Sequence, residues 1–486
     1  MDLSTLQEIL GRAAGVKLAC VGDVMVDRYV YGEVGRISPE APIPVMARTR
    51  ETVMLGAAGN VARNVAALGA SVVLSGVVGD DAAAADADAL ILEEPGLEGR
   101  LAVAPGRATT VKTRFVANGQ QLLRVDHEIA TPLNNAGEAA LAKVASGAAE
   151  RADVVLISDY AKGAVTPAVI AAVRAAVRPG AQIIVDPKGR SFAKYGPADL
   201  IKPNTRELSL TTGMACVTDE EVEVALAKAL AGCEAKAILV TRAGEGMSLA
   251  VRGQPVRHFR GPARKVFDVS GAGDTTLAAL GVALATNAPL DQAVSFALLA
   301  AGVVVGKVGT AIVTPDELVQ AATSQRLAGA DAKVASLDAA TAAVERWRAA
   351  GLKVGFTNGC FDLLHRGHVT YLAQARAWCD RLLVGLNSDT SVRGLKGEGR
   401  PVNDLDSRAL VLASLECVDL VVPFDEPTPI GLIEALAPDI LMKGADYTVD
   451  QVVGAEIVRA RGGEVKLLPL VEGHSTTATI ARMAEG

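Results

Sequence analysis

Short apolar runs that end in Gly or Asp alternate with longer stretches of helical period along most of the 486 residues. KLACVGD (17–23), ADVVLISDY (152–160), QIIVDPKG (182–189) and KAILVTRAG (236–244) are such runs. Their alternation with helices predicts an α/β fold with a mostly parallel, helix-covered sheet. Ligands of open α/β sheets bind beyond the carboxyl ends of the strands, where Asp23, Asp159, Asp186 and Asn204 fall. One segment breaks the pattern. Thr109 to Glu128 has two β-rich arms around Asn118-Gly119, a hairpin signal that predicts an antiparallel flap.

Residues 321–335, AATSQRLAGADAKVA, are small and polar without a sustained apolar stripe, which marks a linker. From Lys353 the alternation restarts and predicts five strands with intervening helices, a compact Rossmann-like unit. Domains run to about 100–200 residues, so the chain divides into 1–320, a linker at 321–335, and 336–486. No internal repeat relates the halves. The weakly polar run Ala293–Gly306 has fourteen residues, short of the roughly 20 that span a bilayer, and predicts a buried helix.

Composition narrows the function classes. Half of the residues are apolar and only 3% aromatic, so the core is expected to be Ala, Val and Leu packing. A formal charge of -7 without a dense basic run argues against a nucleic-acid surface. MDLSTLQEIL carries no secretory signal pattern, and a cytoplasmic protein that does not engage membranes is the expectation. The six cysteines form no CxxC pair, so free thiols are expected rather than a zinc site or a disulfide framework.

Two motifs carry chemistry. In DVSGAGDTT (268–276), Gly271, Ala272 and Gly273 expose backbone N–H groups at a helix start, where unpaired donors and the helix dipole attract phosphate oxygens. Asp274 would sit beside the transferred phosphoryl group and take a proton from an attacking hydroxyl; a helix cap is the alternative for a single Asp there. In TNGCFDLLHRGH (357–368), His365 and His368 lie where a strand gives way to a helix starting near Gly367. Imidazole N–H groups and a helix N-terminus stabilise charge that builds during attack on an α-phosphorus. Two His three apart are alternatively metal ligands on one helix face.

GDVMVDRYVYG, GAAGNVARN (56–64), NTREL (204–208), TRAGEG (241–246) and DVSGAGD occur in that order. The succession resembles the ribokinase-like carbohydrate kinase family over residues 10–320. The resemblance implies Asp274 as catalytic base and Gly271, Ala272 and Gly273 as anion hole. It implies Asn204, Thr205, Arg206 and Glu207 at nucleotide phosphate and magnesium, with Glu207 the metal residue, and Thr241, Gly244 and Gly246 as a nucleotide-phosphate turn. Asp23, Asp27 and Asn60 fall at sugar-hydroxyl positions. The family usually has adjacent glycines where this chain has Gly56-Ala57, which leaves the loop path there open. Lys112, Arg114, Arg124, Lys162 and Lys188 are candidate grips for a second phosphate on the sugar or solvated surface charge. GRISPEAPIPV, SDYAKG and VDPKG narrow the likeness to heptose 7-phosphate kinases.

GCFDLLHRGH, with NSD (387–389), RGLKG (393–397), KGADY (443–447) and GHSTTATI (473–480), resembles the cytidylyltransferase-like nucleotidylyltransferases over residues 350–486. That likeness implies His365 and His368 on nucleotide phosphates, Lys396 neutralising charge, and Ser475, Thr476 and Thr477 as donors at the last helix. Arg408 is a phosphate partner or an exposed helix arginine, Asp362 a magnesium or ribose ligand or a strand-end cap, and Cys360 a buried small residue.

In this order the halves resemble the bifunctional heptose 7-phosphate kinase and heptose 1-phosphate adenylyltransferase family. This implies sugar phosphates and ATP as substrates, Mg2+ as cofactor, and a homodimer through the kinase domain. A sugar kinase fused to a cytidylyltransferase for another polyol phosphate is the alternative.

Overall fold

The computed structural model describes residues 1–261, 268–307, 309–445 and 447–469, without the side chains of 326–329. Residues 1–322 and 323–486 form two compact units.

The first unit is built on a nine-stranded sheet. Its spatial order is Arg257–Phe259, Met247–Val251, Ala237–Thr241, Leu200–Ile201, Gln182–Asp186, Val154–Ser158, Lys17–Gly22, Ser71–Val78, Leu97–Val103. Pairing is parallel except for the first two strands in that order. The apolar runs are buried on both faces with a period of two. Leu18, Cys20, Val154 and Leu156 enter one core, while Ala19, Val21, Val155 and Ile157 enter the other. The strand order reverses at Lys17–Gly22, which places a switch-point crevice beyond Gly22 and Ser158. The apolar helix Leu290–Val304 is buried through Ala293, Val294, Phe296, Ala297, Leu299 and Ala300. No helix among the described residues is long and apolar enough to cross a membrane.

The flap is larger than the hairpin signal indicated. Thr110–Ala117 and Gln120–His127 pair antiparallel, with Asn118 and Gly119 both at positive φ. A second long hairpin, Val24–Ile37 with Pro44–Ala57, joins them into a four-stranded sheet. Its arms alternate poorly and lack a two-residue turn signal, so the pattern did not reveal it.

The stretch expected as a linker is helical through Asp331, within Pro315–Asp331. The helix is anchored on the first core through Leu318, Ala321 and Ala322, and the helix propensity of alanine carries it on where the sequence has no apolar stripe. The second unit is a five-stranded parallel sheet ordered Leu420–Phe424, Arg381–Asn387, Val354–Gly359, Ile440–Gly444, Glu464–Leu468. Its order reverses at Val354–Gly359, so the segment carrying the two histidines leaves the sheet at the switch point.

Candidate active sites

Asp274 lies in the first turn of the helix Ala272–Ala285 and is buried. Asn60 Nδ2 donates to its Oδ2 at 2.8 Å and the Tyr160 hydroxyl to its Oδ1 at 2.7 Å. Asn60 belongs to the helix Ala58–Ala67, and Asn64 Nδ2 donates to the Asn60 carbonyl (2.9 Å) and to its Oδ1 (3.3 Å). Thr275 Oγ1 closes the chain by donating to Asn64 Oδ1 at 3.1 Å. This polar network sits among apolar residues and fixes the carboxylate from two sides. Burial pushes the Asp274 carboxyl up to about 7, against the two donors, which pull it down; Asp186 raises it further and Lys202 lowers it.

Gly271 precedes that helix at φ 79, and a Cβ there would lie 2.9 Å from Asn60 Nδ2. The Ala272 N–H donates to the Val269 carbonyl at 3.3 Å, and the amides of Gly273 and Asp274 follow as first-turn donors without intrahelical acceptors. Ala57, the departure from the family pattern, lies at φ 50, ψ -125 immediately before the Asn60 helix.

Asp23 is engaged by the backbone of its own unit. Its carboxylate accepts backbone N–H bonds from Tyr160 (2.7 Å), Lys162 (3.1 Å) and Ala164 (3.0 Å). It organises the loop that carries Tyr160, because a buried carboxylate takes the nearest unpaired amides. Asp27 is ion-paired with Arg114 at 2.5 Å, and that guanidinium lies 5.0 Å from the Tyr29 ring centre. Lys188 pairs with Glu207 at 2.7 Å, Lys162 with Glu128 at 2.6 Å, and Arg124 with Asp126 at 2.9 Å. Lys112 is the candidate cation with no ion pair among the described residues.

Asn204 and Glu207 form a reciprocal cap on the helix Thr205–Thr212. The Glu207 N–H donates to Asn204 Oδ1 at 2.9 Å, and the Asn204 N–H to Glu207 Oε2 at 3.0 Å. Thr205 and Arg206 open that helix. Thr241 is bridged to Asn204 and donates its N–H to the Pro203 carbonyl at 3.0 Å, so two motifs far apart in sequence meet at adjacent strand ends. Gly244 and Gly246 follow in a tight turn; Gly246 has φ 86, and a Cβ on it would lie 2.0 Å from the Phe259 carbonyl oxygen.

In the second unit His365 precedes the helix Arg366–Arg376, and its carbonyl accepts from the His368 N–H at 2.9 Å. The two imidazoles stack with centres 3.9 Å apart and planes at 20°, and Phe361 packs edge-on to His368 at 5.2 Å. Burial first, then its neighbours His365 and Lys396, lower His368 to about 4. Lys396 ends the helix Asp389–Lys396 and is exposed. Ser475, Thr476 and Thr477 lie outside the described residues.

Arg408 is not an exposed helix arginine, and four of its five N–H donors are already occupied. It is 1% exposed and donates to the carbonyls of Asn403 (3.1 Å), Cys360 (2.6 Å) and Asn387 (2.8 Å) and to Asp389 Oδ1 (2.7 Å). It ties together the loops around the histidine segment. Asp362 likewise accepts from Arg400 Nε (2.5 Å) and the Val402 (2.7 Å) and Asn403 (3.2 Å) amides, and these donors hold its carboxyl below the usual range although burial opposes them. Cys360 is only partly buried.

Two residues at the first site escaped the sequence reading of its chemistry. Tyr160 lay within SDYAKG, and Lys202 directly precedes the Pro203-Asn204 strand end; neither type in that place signals a buried contact to a carboxylate.

The pfkB family carbohydrate kinase profile matches residues 16–317, and the cytidylyltransferase-like profile matches residues 356–478. The chain is 52% identical over 484 residues to the bifunctional protein HldE of Hyphomonas neptunium, covering 99% of each. It is 54% identical over 472 residues to that of Caulobacter vibrioides, covering 97% of each. Among solved structures it is similar to phosphofructokinase-2 from Escherichia coli in complex with potassium, with TM-score 0.54, 22% identity and coverage of 64% of this chain and 98% of that one. Arabidopsis thaliana ribokinase complexed with ribose and ATP gives TM-score 0.50 at 23% identity, covering 63% and 98%. These structures share the kinase fold. With both profiles and relatives matched end to end, the chain belongs to the bifunctional HldE family, a pfkB family carbohydrate kinase followed by a cytidylyltransferase-like domain.

Proposed function

We propose that the first unit transfers the γ-phosphate of ATP to the C1 hydroxyl of D-glycero-D-manno-heptose 7-phosphate, and that the second joins AMP from ATP to heptose 1-phosphate. The products are the 1,7-bisphosphate and ADP, then ADP-heptose, a lipopolysaccharide core precursor, and pyrophosphate. Identity above half of the positions to HldE relatives along the whole chain carries this reading; the cytidylyltransferase alternative is not favoured.

In the kinase step Asp274 takes the proton of the attacking hydroxyl as the new O–P bond forms and the bond to ADP breaks. A carboxyl raised to about 7 is a stronger base than an ordinary aspartate and still substantially ionised near neutral pH. Asn60 and Tyr160 hold it in place, and the Gly271–Gly273 turn receives phosphoryl oxygens. Lys112 and Arg114, on the flap, are the grips for the 7-phosphate, while Lys188, paired with Glu207, belongs with the nucleotide.

Magnesium keeps most of its waters and needs one or two carboxylates besides phosphate oxygens. The buried Glu207 carboxylate, beside Lys188 and the Asn204 amide, fits that donor type. Magnesium held there would draw charge from the triphosphate. Thr205, Arg206, Thr241, Gly244 and Gly246 line the nucleotide phosphates.

In the second step a phosphate oxygen of heptose 1-phosphate attacks the α-phosphorus. His365 and His368 donate to its oxygens, Lys396 neutralises the leaving pyrophosphate, and Ser475, Thr476 and Thr477 supply further donors. The kinase units pair through the flap, whose outer strand exposes Leu122, Leu123 and Val125, and the protein works in the cytoplasm.

Purified protein offered heptose 7-phosphate with ATP, and separately heptose 1-phosphate with ATP or CTP, tests the assignment. Bisphosphate formation and ATP-dependent pyrophosphate release are expected. Turnover with CTP but not ATP would overturn the second half.

A further inference from the structure

We infer that Asn64 is a positioning residue of the kinase unit: its amide fixes which way round the Asn60 amide sits, so that a donor and never an acceptor faces Asp274. The inference rests on the kinase reading above and adds to that site a residue that acts through Asn60.

An amide side chain can be turned over without changing its shape, which exchanges its oxygen for its nitrogen. For Asn60 the exchange matters. Its Nδ2 donates to Asp274 Oδ2 at 2.8 Å, and the turned form would set an oxygen against that carboxylate instead. What holds the other end of the Asn60 amide therefore decides what the base meets.

That end is held by Asn64, one turn further along the helix Ala58–Ala67 and, like Asn60, fully buried. Asn64 Oδ1 accepts from the Val313 N–H at 3.3 Å and the Thr275 hydroxyl at 3.1 Å. Its Nδ2 donates to the Asn60 carbonyl at 2.9 Å and to Asn60 Oδ1 at 3.3 Å. Two of these partners work in one direction only. A backbone N–H donates and a backbone carbonyl accepts, so Val313 pins the oxygen end of Asn64 and the Asn60 carbonyl pins its nitrogen end. With Nδ2 of Asn64 pointed at it, the Asn60 side chain must answer with Oδ1, and its own Nδ2 is left for the base. The polarity set by Val313 thus runs through two amides to the carboxylate.

A clip for Val313 would need only an acceptor, which an aspartate supplies. The donor half of Asn64 goes to Asn60, at an interior helix position that does not favour asparagine for helix formation. The other titratable groups that interact with Asp274 are Tyr160, which donates to Oδ1 at 2.7 Å, the paired Asp186 and Lys202, and Cys20. None of them is hydrogen-bonded to Asn60 among the described residues. Donation from Asn60 lowers the Asp274 carboxyl. Its loss or reversal therefore raises the carboxyl and moves the acid limb of the kinase pH profile upward.

The test uses full-length protein, with adenylyl transfer measured on each preparation. Kinase kcat/KM is followed across the acid limb and onto the alkaline plateau for the parent, Asn64→Ala, Asn64→Asp, Asn60→Ala and the double variant Asn60→Ala with Asn64→Ala. Asn64→Ala is expected to move the limb up by about one pH unit, the worth of a hydrogen bond to a charged group. Activity then falls about fivefold near neutral pH and returns on the plateau, whereas a structural role alone predicts an equal loss at every pH. In the Asn60→Ala background the same change is expected to add less than about 0.3 pH unit. Asn64→Asp keeps the bonds from Val313 and Thr275 but offers Asn60 an acceptor, which turns its amide over, and its limb is expected to rise at least as far.

A limb within about 0.3 pH unit of the parent's in either Asn64 variant, a loss equal at every pH, or full additivity with Asn60→Ala would overturn the inference. If Asn64→Ala fails to fold, Asn64→Asp, which matches the parent in size, still decides. Parent protein with no turnover of heptose 7-phosphate would instead sink the kinase reading, and this inference with it.

Discussion

The two sites handle the same triphosphate with opposite equipment. The kinase unit buries a carboxylate, grips it with Asn60 and Tyr160, and raises it to about 7. The nucleotidylyltransferase unit stacks two imidazoles and lowers His368 to about 4. The difference follows from the nucleophile. A sugar hydroxyl must lose a proton as it attacks, and on the proposed reading Asp274 is its base. A sugar phosphate is already anionic near neutral pH, so the second site needs donors that neutralise charge and no base. Each unit tunes its titratable group by burial, and the chemistry decides which direction is useful.

The comparison breaks most sharply at the base. Asp274→Asn keeps the shape and removes the proton acceptor, and kinase kcat is expected to fall at least about 10³-fold while pyrophosphate release from heptose 1-phosphate stays unchanged. A loss in both assays from folded protein would mean the units are not chemically independent. His368→Ala is the mirror experiment, expected to cost adenylyl transfer about 10²–10³-fold and to spare the kinase.

How much of this was legible beforehand depended on whether a residue works through local pattern or through distant neighbours. The strands, their carboxyl ends, the flap hairpin at Asn118-Gly119 and the histidine turn all leave local signals. The hairpin Val24–Ile37 with Pro44–Ala57 leaves little, because its outer half is exposed and pairing rather than apolar alternation holds it. The hold of Asp23 on three amides 137 to 141 residues away left no local signal. Tyr160 and Lys202 were invisible for the same reason. Arg408 sits in a helix whose sequence gives no reason to bury it; carbonyls of Cys360, Asn403 and the strand-ending Asn387 do so.

Arg408 supplies the next test, of stability rather than rate. Arg408→Met leaves three carbonyls and Asp389 without their donor in a buried place, and about 3 kcal/mol of stability is expected to be lost. Denaturant unfolding followed at Trp378, in the second unit, should show the loss, with kinase activity holding to higher denaturant than adenylyl transfer. Equal sensitivity of the two activities would contradict a clamp confined to the histidine loops.

A gentler probe is pH. Kinase kcat/KM reports the free enzyme's ionisations, and the base must be unprotonated. Activity should therefore fall about tenfold per pH unit below about 7 and level off above it. His368, with its value near 4, stays neutral through that window, so adenylyl transfer should bend only with the substrate phosphate near about 6. A kinase profile flat from pH 5 to 8, about the window in which a raised carboxyl must show itself, would remove the raised carboxyl from the mechanism.

The smallest expected effect concerns the turns that deliver these groups. Ala57, just before the Asn60 helix, has φ 50, ψ -125, and Phe361, before the histidines, has φ 43. Both are left-handed conformations that cost an L residue about 1–3 kcal/mol. Phe361 has compensation, since its ring packs against His368. Ala57 offers only a buried methyl, where the family usually carries glycine. Ala57→Gly relieves the strain, loses about 0.8 kcal/mol of methyl burial and gives the unfolded chain about 0.4–1 kcal/mol of added freedom. The balance is a gain of roughly 0.5 kcal/mol, read as a raised denaturation midpoint of the first unit with kinase kcat unchanged. A loss of more than about 1 kcal/mol would mean the methyl packs the turn that presents Asn60, and that the kinase unit, like its neighbour, holds its strain with a side chain.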